Sequence, residues 1–281
     1  MKKIIAFLSL LIVVASCDKI EGPYISDPGS IPVDVEFPDL DVSRIYRKVL
    51  IEEYTGHRCS NCPNGHARLA ELITRFGDTL VPVCLHAGSL ARPTSEYPYD
   101  FRTETGNQLF NDFGMDPIPR AVINRARYQN RWDVRVDAWR NAIEEIDRSK
   151  KYAAIQMITQ YKSNESTLYV YVKTTMLEQY SKPLLLSLFL VEDGIISAQL
   201  DHETLVPDYE HNHVLRLGIN GHYGSQLTND GTLAKDSAYQ VGFPVRFAGT
   251  DWIAGNTTVV AILHDPDTRE VLQTEMKKSV E

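Results

Sequence analysis

The sequence predicts an α/β domain followed by an all-β sandwich, on three observations. A Cys-x-x-Cys pair, Cys59 and Cys62, falls where a β-prone run gives way to a helical period. β-prone and helical runs then alternate to about residue 150, as in α/β units. Beyond residue 151 come about seven short β-prone runs with turn signals between them and no helical period, the pattern of an immunoglobulin-like sandwich. The boundaries read as 1–16 for a signal peptide, 17–44 for a tether, 45–150 for the α/β domain and 151–281 for the sandwich.

Met1-Lys2-Lys3 is followed by an apolar run over 4–15 and then Val14-Ala15-Ser16-Cys17, the form of a bacterial lipoprotein signal with a lipobox. Cys17 is then the lipidated first residue of the mature chain; the alternative is an ordinary secretory signal cleaved nearby. The apolar run is too short to span a bilayer. Either reading puts the mature chain outside the cytoplasm, and the Pro-rich, acidic stretch that follows reads as a tether.

The α/β elements follow in order. Residues 48–54 form a strand that Thr55-Gly56 breaks. Leu69, Leu72, Ile73 and Phe76 share one helical face, Gly77 stops that helix, and the cysteine pair is expected on its first turn, where Pro63 is tolerated. A strand is expected over 79–86, a helix over 103–113 and a closing helix over 133–149 with Val136, Trp139, Ile143 and Ile146 inward. In the second half, strands are expected over 153–161, 167–176, 184–192, 213–217, 239–247, 257–264 and 270–276.

A cysteine pair at a strand-to-helix junction reads as a thiol–disulfide redox site. Unpaired N–H groups and the dipole at the helix N-terminus stabilise a thiolate on Cys59, and Cys62 lies one turn on, able to release a mixed disulfide. His57 and Arg58 would lower the Cys59 pKa further, or simply face solvent. Two other readings stay open: a structural disulfide, although so small a ring is a poor staple, and a zinc site from His57, Cys59, Cys62 and His66. Covalent haem attachment is excluded, because Pro63 stands where it needs histidine. Cys84, left over, reads as a buried apolar residue. The turn-rich loop over 88–101 carries Tyr97 and Tyr99, either as a groove wall over the cysteines or as packed surface.

In the second half His211 and His213, with His202 and His222 nearby, suggest either a metal or histidines bonded to loop backbone; no carboxylate or cysteine has ligand spacing there. No cofactor is expected. A net charge of −8 without a basic stripe excludes a nucleic-acid surface, and 43% hydrophobic with 23% charged residues excludes wholesale disorder.

The stretch Phe113-Gly-Met-Asp-Pro-Ile-Pro-Arg-Ala-Val-Ile-Asn-Arg125 resembles the thioredoxin segment in which a cis-proline opens a strand beside the redox cysteines. That resemblance implies a thioredoxin-like first domain, makes Pro119 the cis-proline and has Ile118 offer its backbone to an extended substrate. It also puts Glu53, six residues before Cys59, where such proteins often bury an acid that exchanges a proton with the second cysteine; the alternative is a strand-end glutamate reaching solvent. With the lipobox, the Glu-Tyr-Thr-Gly-x-x-Cys-x-x-Cys-Pro run and the His-Asn-His-Val-Leu-Arg run resemble the Bacteroidetes lipoproteins called the twenty-eight-kilodalton outer membrane protein family. This implies residence at the outer membrane, anchored by lipid on Cys17. The expected function is exchange with protein thiols or disulfides through Cys59 and Cys62. The alternative is a surface adhesin in which the first domain is a scaffold and the second contacts a surface ligand.

Overall fold

The run Val-Leu-Ile-Glu-Glu-Tyr-Thr forms β1 (Val49–Thr55), and every residue of it is buried. A strand enclosed on both faces needs a neighbour on each edge and a layer on each side. In the computed structural model, which describes residues 29–228 and 231–280, it has all of them. Cys17 lies outside the described residues. Helix α1 (Cys62–Phe76) crosses over to β2 (Leu80–His86), which runs parallel to β1. Helix α2 (Glu104–Phe113) then leads to β3 (Arg120–Ile123), antiparallel on the other edge of β1. Thr103 caps α2 through a hydrogen bond from the Gly106 N–H, and Gly114 ends it in the left-handed conformation.

The closing helix is shorter than the sequence predicts. Instead of 133–149 it is a 3-10 turn, Val136–Ala138, running into α3 (Trp139–Glu145). Val134 is unavailable to it, because its N–H and C=O both bond to Ala121 at the edge of β3, at 2.8 and 3.0 Å. The other end stops where Ile146 turns extended. Trp139 is fully buried and donates its indole N–H to the Val134 carbonyl at 3.0 Å.

The second half is all strand: β4 (Ala153–Lys162), β5 (Thr167–Met176), β6 (Leu185–Glu192), β7 (Ile195–Asp201), β8 (Thr204–His211), β9 (Val214–Gly218), β10 (Ser225–Gln226), β11 (Ala238–Arg246), β12 (Thr257–His264) and β13 (Val271–Lys278). Three sheets result. The largest runs β13-β12-β6-β9-β2-β1-β3 with β10 on β6, the second is β11-β5-β4, and β7 and β8 pair only with each other. The large sheet passes without a break from one half of the chain to the other, through a parallel contact of β2 with β9 at Cys84 and Val214. The fold is thus mostly β-sheet with some helices.

Side-chain alternation along β6 explains how one sheet serves two cores. Leu186, Leu188 and Leu190 meet Val170, Val172, Val241 and Phe243 of the second sheet. Phe189 and Val191 face the other way, into the layer with Leu50, Tyr54, Leu109 and Phe113. The apolar run of β6, interrupted only by the buried Ser187, is therefore that of a strand covered on both sides. A third apolar layer lies between the β1 end of the sheet and α1 and α3, built from Val49, Ile51, Leu69, Leu72, Trp139 and Ile143.

Candidate functional site

Consecutive residues of β1 point to opposite faces, so Glu53 lies on the α1 side with Val49 and Ile51, and Glu52 on the other. Helix α1 begins at Cys62, later than the sequence predicts for the pair. Cys59 sits in the turn before the helix, where the Cys62 N–H bonds to its carbonyl at 3.2 Å. Asn61 at the N-cap supplies no side-chain bond, and Pro63 occupies the first turn. Cys59 and Cys62 form a disulfide across a Cα–Cα distance of 5.4 Å. It is nearly enclosed: Cys62 is wholly buried and Cys59 is 4% exposed.

The loop before β3 supplies one wall. The Ile118–Pro119 bond is cis, as is Asp116–Pro117, which the sequence did not single out. Cys59 Sγ lies 3.8 Å from the Ile118 carbonyl oxygen. Gly65, one turn into α1, allows close approach from below. A Cβ there would stand 2.5 Å from Glu53 Oε1, 3.2 Å from Pro119 Cβ and 3.3 Å from the Trp139 ring.

Glu53 does not reach solvent; it is completely buried under α1. Oε2 accepts the Cys84 thiol at 3.5 Å, while Oε1 has no hydrogen-bond partner. Burial pushes its pKa up to about 8, with the thiol bond acting weakly the other way. The carboxyl is therefore largely protonated at neutral pH. His66 Nε2 comes within 3.9 Å of Oε1 but is committed to Thr55 Oγ1 at 2.8 Å, and its Nδ1 to the Tyr209 hydroxyl at 2.8 Å.

The sequence reading missed the third wall. Hairpin β7–β8 lies across the cysteine loop: Leu200 N–H bonds to the His57 carbonyl at 2.8 Å and His202 N–H to that of Ser60 at 2.9 Å. Gln199, fully buried, donates its side-chain amide to the Cys59 carbonyl at 3.2 Å. Pro207 inside β8 and a turn without Asn-Gly hid this hairpin; His202 carries the positive φ of 53° that glycine usually takes.

Several expected residues lie elsewhere. His57 is buried, bonds to the Arg92 carbonyl at 3.0 Å and stacks on Tyr97, and burial lowers its pKa, so it adds no positive charge beside Cys59. Tyr99 turns away to bond with Asp251. His211 and His213 do not share a strand: His211 ends β8, while His213 has φ 56° and pairs with Asp193 at 3.1 Å. Among the described residues no three His, Cys, Asp or Glu are placed to hold a metal.

Together these parts define a mostly-β protein whose helical end presents an enclosed, short-spaced disulfide. The sequence model of the outer membrane protein Omp28 family matches residues 106–281, and the chain belongs to that family of outer-membrane proteins. No curated protein matches it. Among solved structures it is similar to HBP35 of Porphyromonas gingivalis, at 16% identity and a TM-score of 0.65 over 83% of this chain and 75% of that one. A protein of Agrobacterium tumefaciens is similar at 11% identity and a TM-score of 0.51, over 85% and 97% of the two chains. A domain of the outer membrane lipoprotein Omp28 from Porphyromonas gingivalis is 23% identical over 45% of this chain and 87% of its own, at a TM-score of 0.31. No helix among the described residues is long and apolar enough to cross a membrane.

Proposed function

We propose that the chain is an extracytoplasmic thiol–disulfide oxidoreductase-like lipoprotein, tethered to the outer membrane by lipid on Cys17 and acting on protein thiols or disulfides. Its first part, 45–150, is read as a thioredoxin-like unit and 151–281 as an immunoglobulin-like sandwich that shares its sheet. Strand order β11-β5-β4 facing β13-β12-β6-β9 supports the second reading. One observation carries the functional reading: the Cys59–Cys62 disulfide joins the turn before α1 to the first residue of that helix, against the Ile118–Pro119 loop, with a buried Glu53 carboxyl beneath the helix. Cys59, the less buried sulfur, exchanges with the partner, and Cys62 resolves the mixed disulfide. Ile118 offers its backbone to the partner chain, Pro119 shapes that loop, and Glu53 handles a proton.

The test is capture. Cys62→Ser is expected to leave partners bound to Cys59 as mixed disulfides that reductant releases. Recovering none from cells that export the folded variant would overturn the reading. The 4% exposure of Cys59 favours a second reading, a surface adhesin using the disulfide unit as scaffold. In that case Cys59→Ser leaves surface binding unchanged.

A further inference from the structure

A cavity of about 480 Å³ lies beside Glu53, between α1, β2 and β8. Its lining holds an unusual number of buried polar atoms without protein partners. Glu53 Oε1 is one and both ring nitrogens of His86 on β2 are others, while His211 on β8 makes no hydrogen bond of good geometry, with the Ser197 backbone close to its ring. The three side chains are each at least nine-tenths buried. Native proteins satisfy such atoms through water or a ligand, and a space of this size holds on the order of ten waters. The cavity meets solvent past Ala67 and Ala70, exposed residues of α1, facing Glu210 and Asn212.

We infer that this cavity is the proton route of Glu53, joining its free oxygen Oε1 to solvent past the imidazoles of His86 and His211. The inference rests on the thiol–disulfide reading above. When a partner thiolate attacks Cys59 Sγ, a partner–Cys59 bond forms and the Cys59–Cys62 bond breaks, leaving the electron pair on Cys62. The Glu53 carboxyl gives its proton to that thiolate, and the cavity returns one from solvent. The second partner thiol, losing its proton to solvent, then displaces Cys59, so the partner dithiol is oxidised and the pair reduced. Oε2 is engaged by Cys84, which leaves Oε1 as the exit.

Other groups around the carboxyl fit a neutral path. From α1, His66 has both nitrogens bonded and serves as wall. From β8, Tyr209 holds that wall in place, and at the rim His213 pairs with Asp193. Burial keeps His86 and His211 uncharged, so each ring has one N–H to give and one lone pair to accept.

The experiment caps the mouth. Ala70→Phe, with Ala67→Phe as a second cap and Ala70→Ser as an open control, is made in the full mature chain. The carboxylic-acid stretch of Glu53, assigned by its loss in Glu53→Gln, is followed by infrared spectroscopy after mixing into D2O. Rapid exchange is expected in the native protein and the Ser control, with at least tenfold slowing in the capped variants. Multiple-turnover reduction of a protein disulfide at pH 7, with dithiothreitol as the dithiol that re-reduces the Cys59–Cys62 pair by the step above, is expected to fall with it. Exchange equally fast in both folded caps overturns the route and leaves the redox reading standing. Cap-sensitive exchange in a native protein that turns over no disulfide overturns the redox reading, and the catalytic route with it.

Discussion

Arg125 and Glu52 form an ion pair at 2.8 Å with neither side chain exposed to solvent. Both guanidinium nitrogens Nε and Nη2 bond to the carboxylate, and the arginine lies against the rings of Phe189 and Tyr223 from the second half. Breaking such a pair leaves one charge stranded in the interior. Glu52→Gln and Arg125→Met are each expected to cost about 3–5 kcal/mol, and the double replacement less than their sum. Urea unfolding of the three variants checks this; additive losses would show that the two groups act independently.

Stability is expected to peak near pH 6.5. Burial holds Glu53 protonated in the folded protein to about pH 8, against about 4.5 in the unfolded chain, so the native state binds the extra proton in between. Raising pH through that window therefore costs up to about 1.4 kcal/mol per unit. Burial lowers His66 to about 4, and His211 and His264 to about 3, from 6.5. Below 6.5 the unfolded chain takes protons that the folded one refuses, so acidification also destabilises. Denaturant midpoints between pH 5 and 9 test both slopes. Glu53→Gln should flatten the alkaline one, and an unchanged slope would rule Glu53 out as its cause.

Much of this site was legible because local chemistry dictated it. The apolar run of β1 and the helical face of Leu69, Leu72 and Phe76 are each encoded within a few residues, while the cis-proline reading of Pro119 follows from the resemblance of its segment to the thioredoxin loop. What stayed hidden is nonlocal. Glu52 and Glu53 are neighbours in sequence, and only the strand's alternation sends one to Arg125 and the other beneath α1. Gln199 and Tyr209 reach the cysteine loop and α1 from a hairpin whose own residues carry weak strand signals.

Gly65→Ala is expected to destabilise by about 1–3 kcal/mol, since the added methyl meets Glu53 Oε1 at 2.5 Å and Pro119 at 3.2 Å. The contrast is Gly255→Ala, where nothing lies within 4 Å and no loss is expected. Equal midpoints for the two would contradict the close packing under α1.

Gln199→Ala removes the side-chain bond to the Cys59 carbonyl. A hydrogen bond worth about 1 kcal/mol holds hairpin opening back by roughly fivefold. Alkylation of reduced Cys59 by iodoacetamide should quicken by that factor, and by more in Gln199→Glu, which sets a buried carboxylate against the carbonyls of Cys59 and Leu200. Rates equal to the native protein would mean that the hairpin does not limit access.

Cys84 on β2 donates its N–H to the carbonyl of His213, just before β9. A chain delivered N-terminus first therefore presents β2 with one bare edge until that distant segment follows. Bare edges recruit other strands, and long-range closure is slow. During that interval Cys59 and Cys62 are already outside, without the hairpin that later covers them. The export interval is thus the widest opening an oxidant has to the pair, and completing the sheet and hairpin narrows that access to what opening of the hairpin allows.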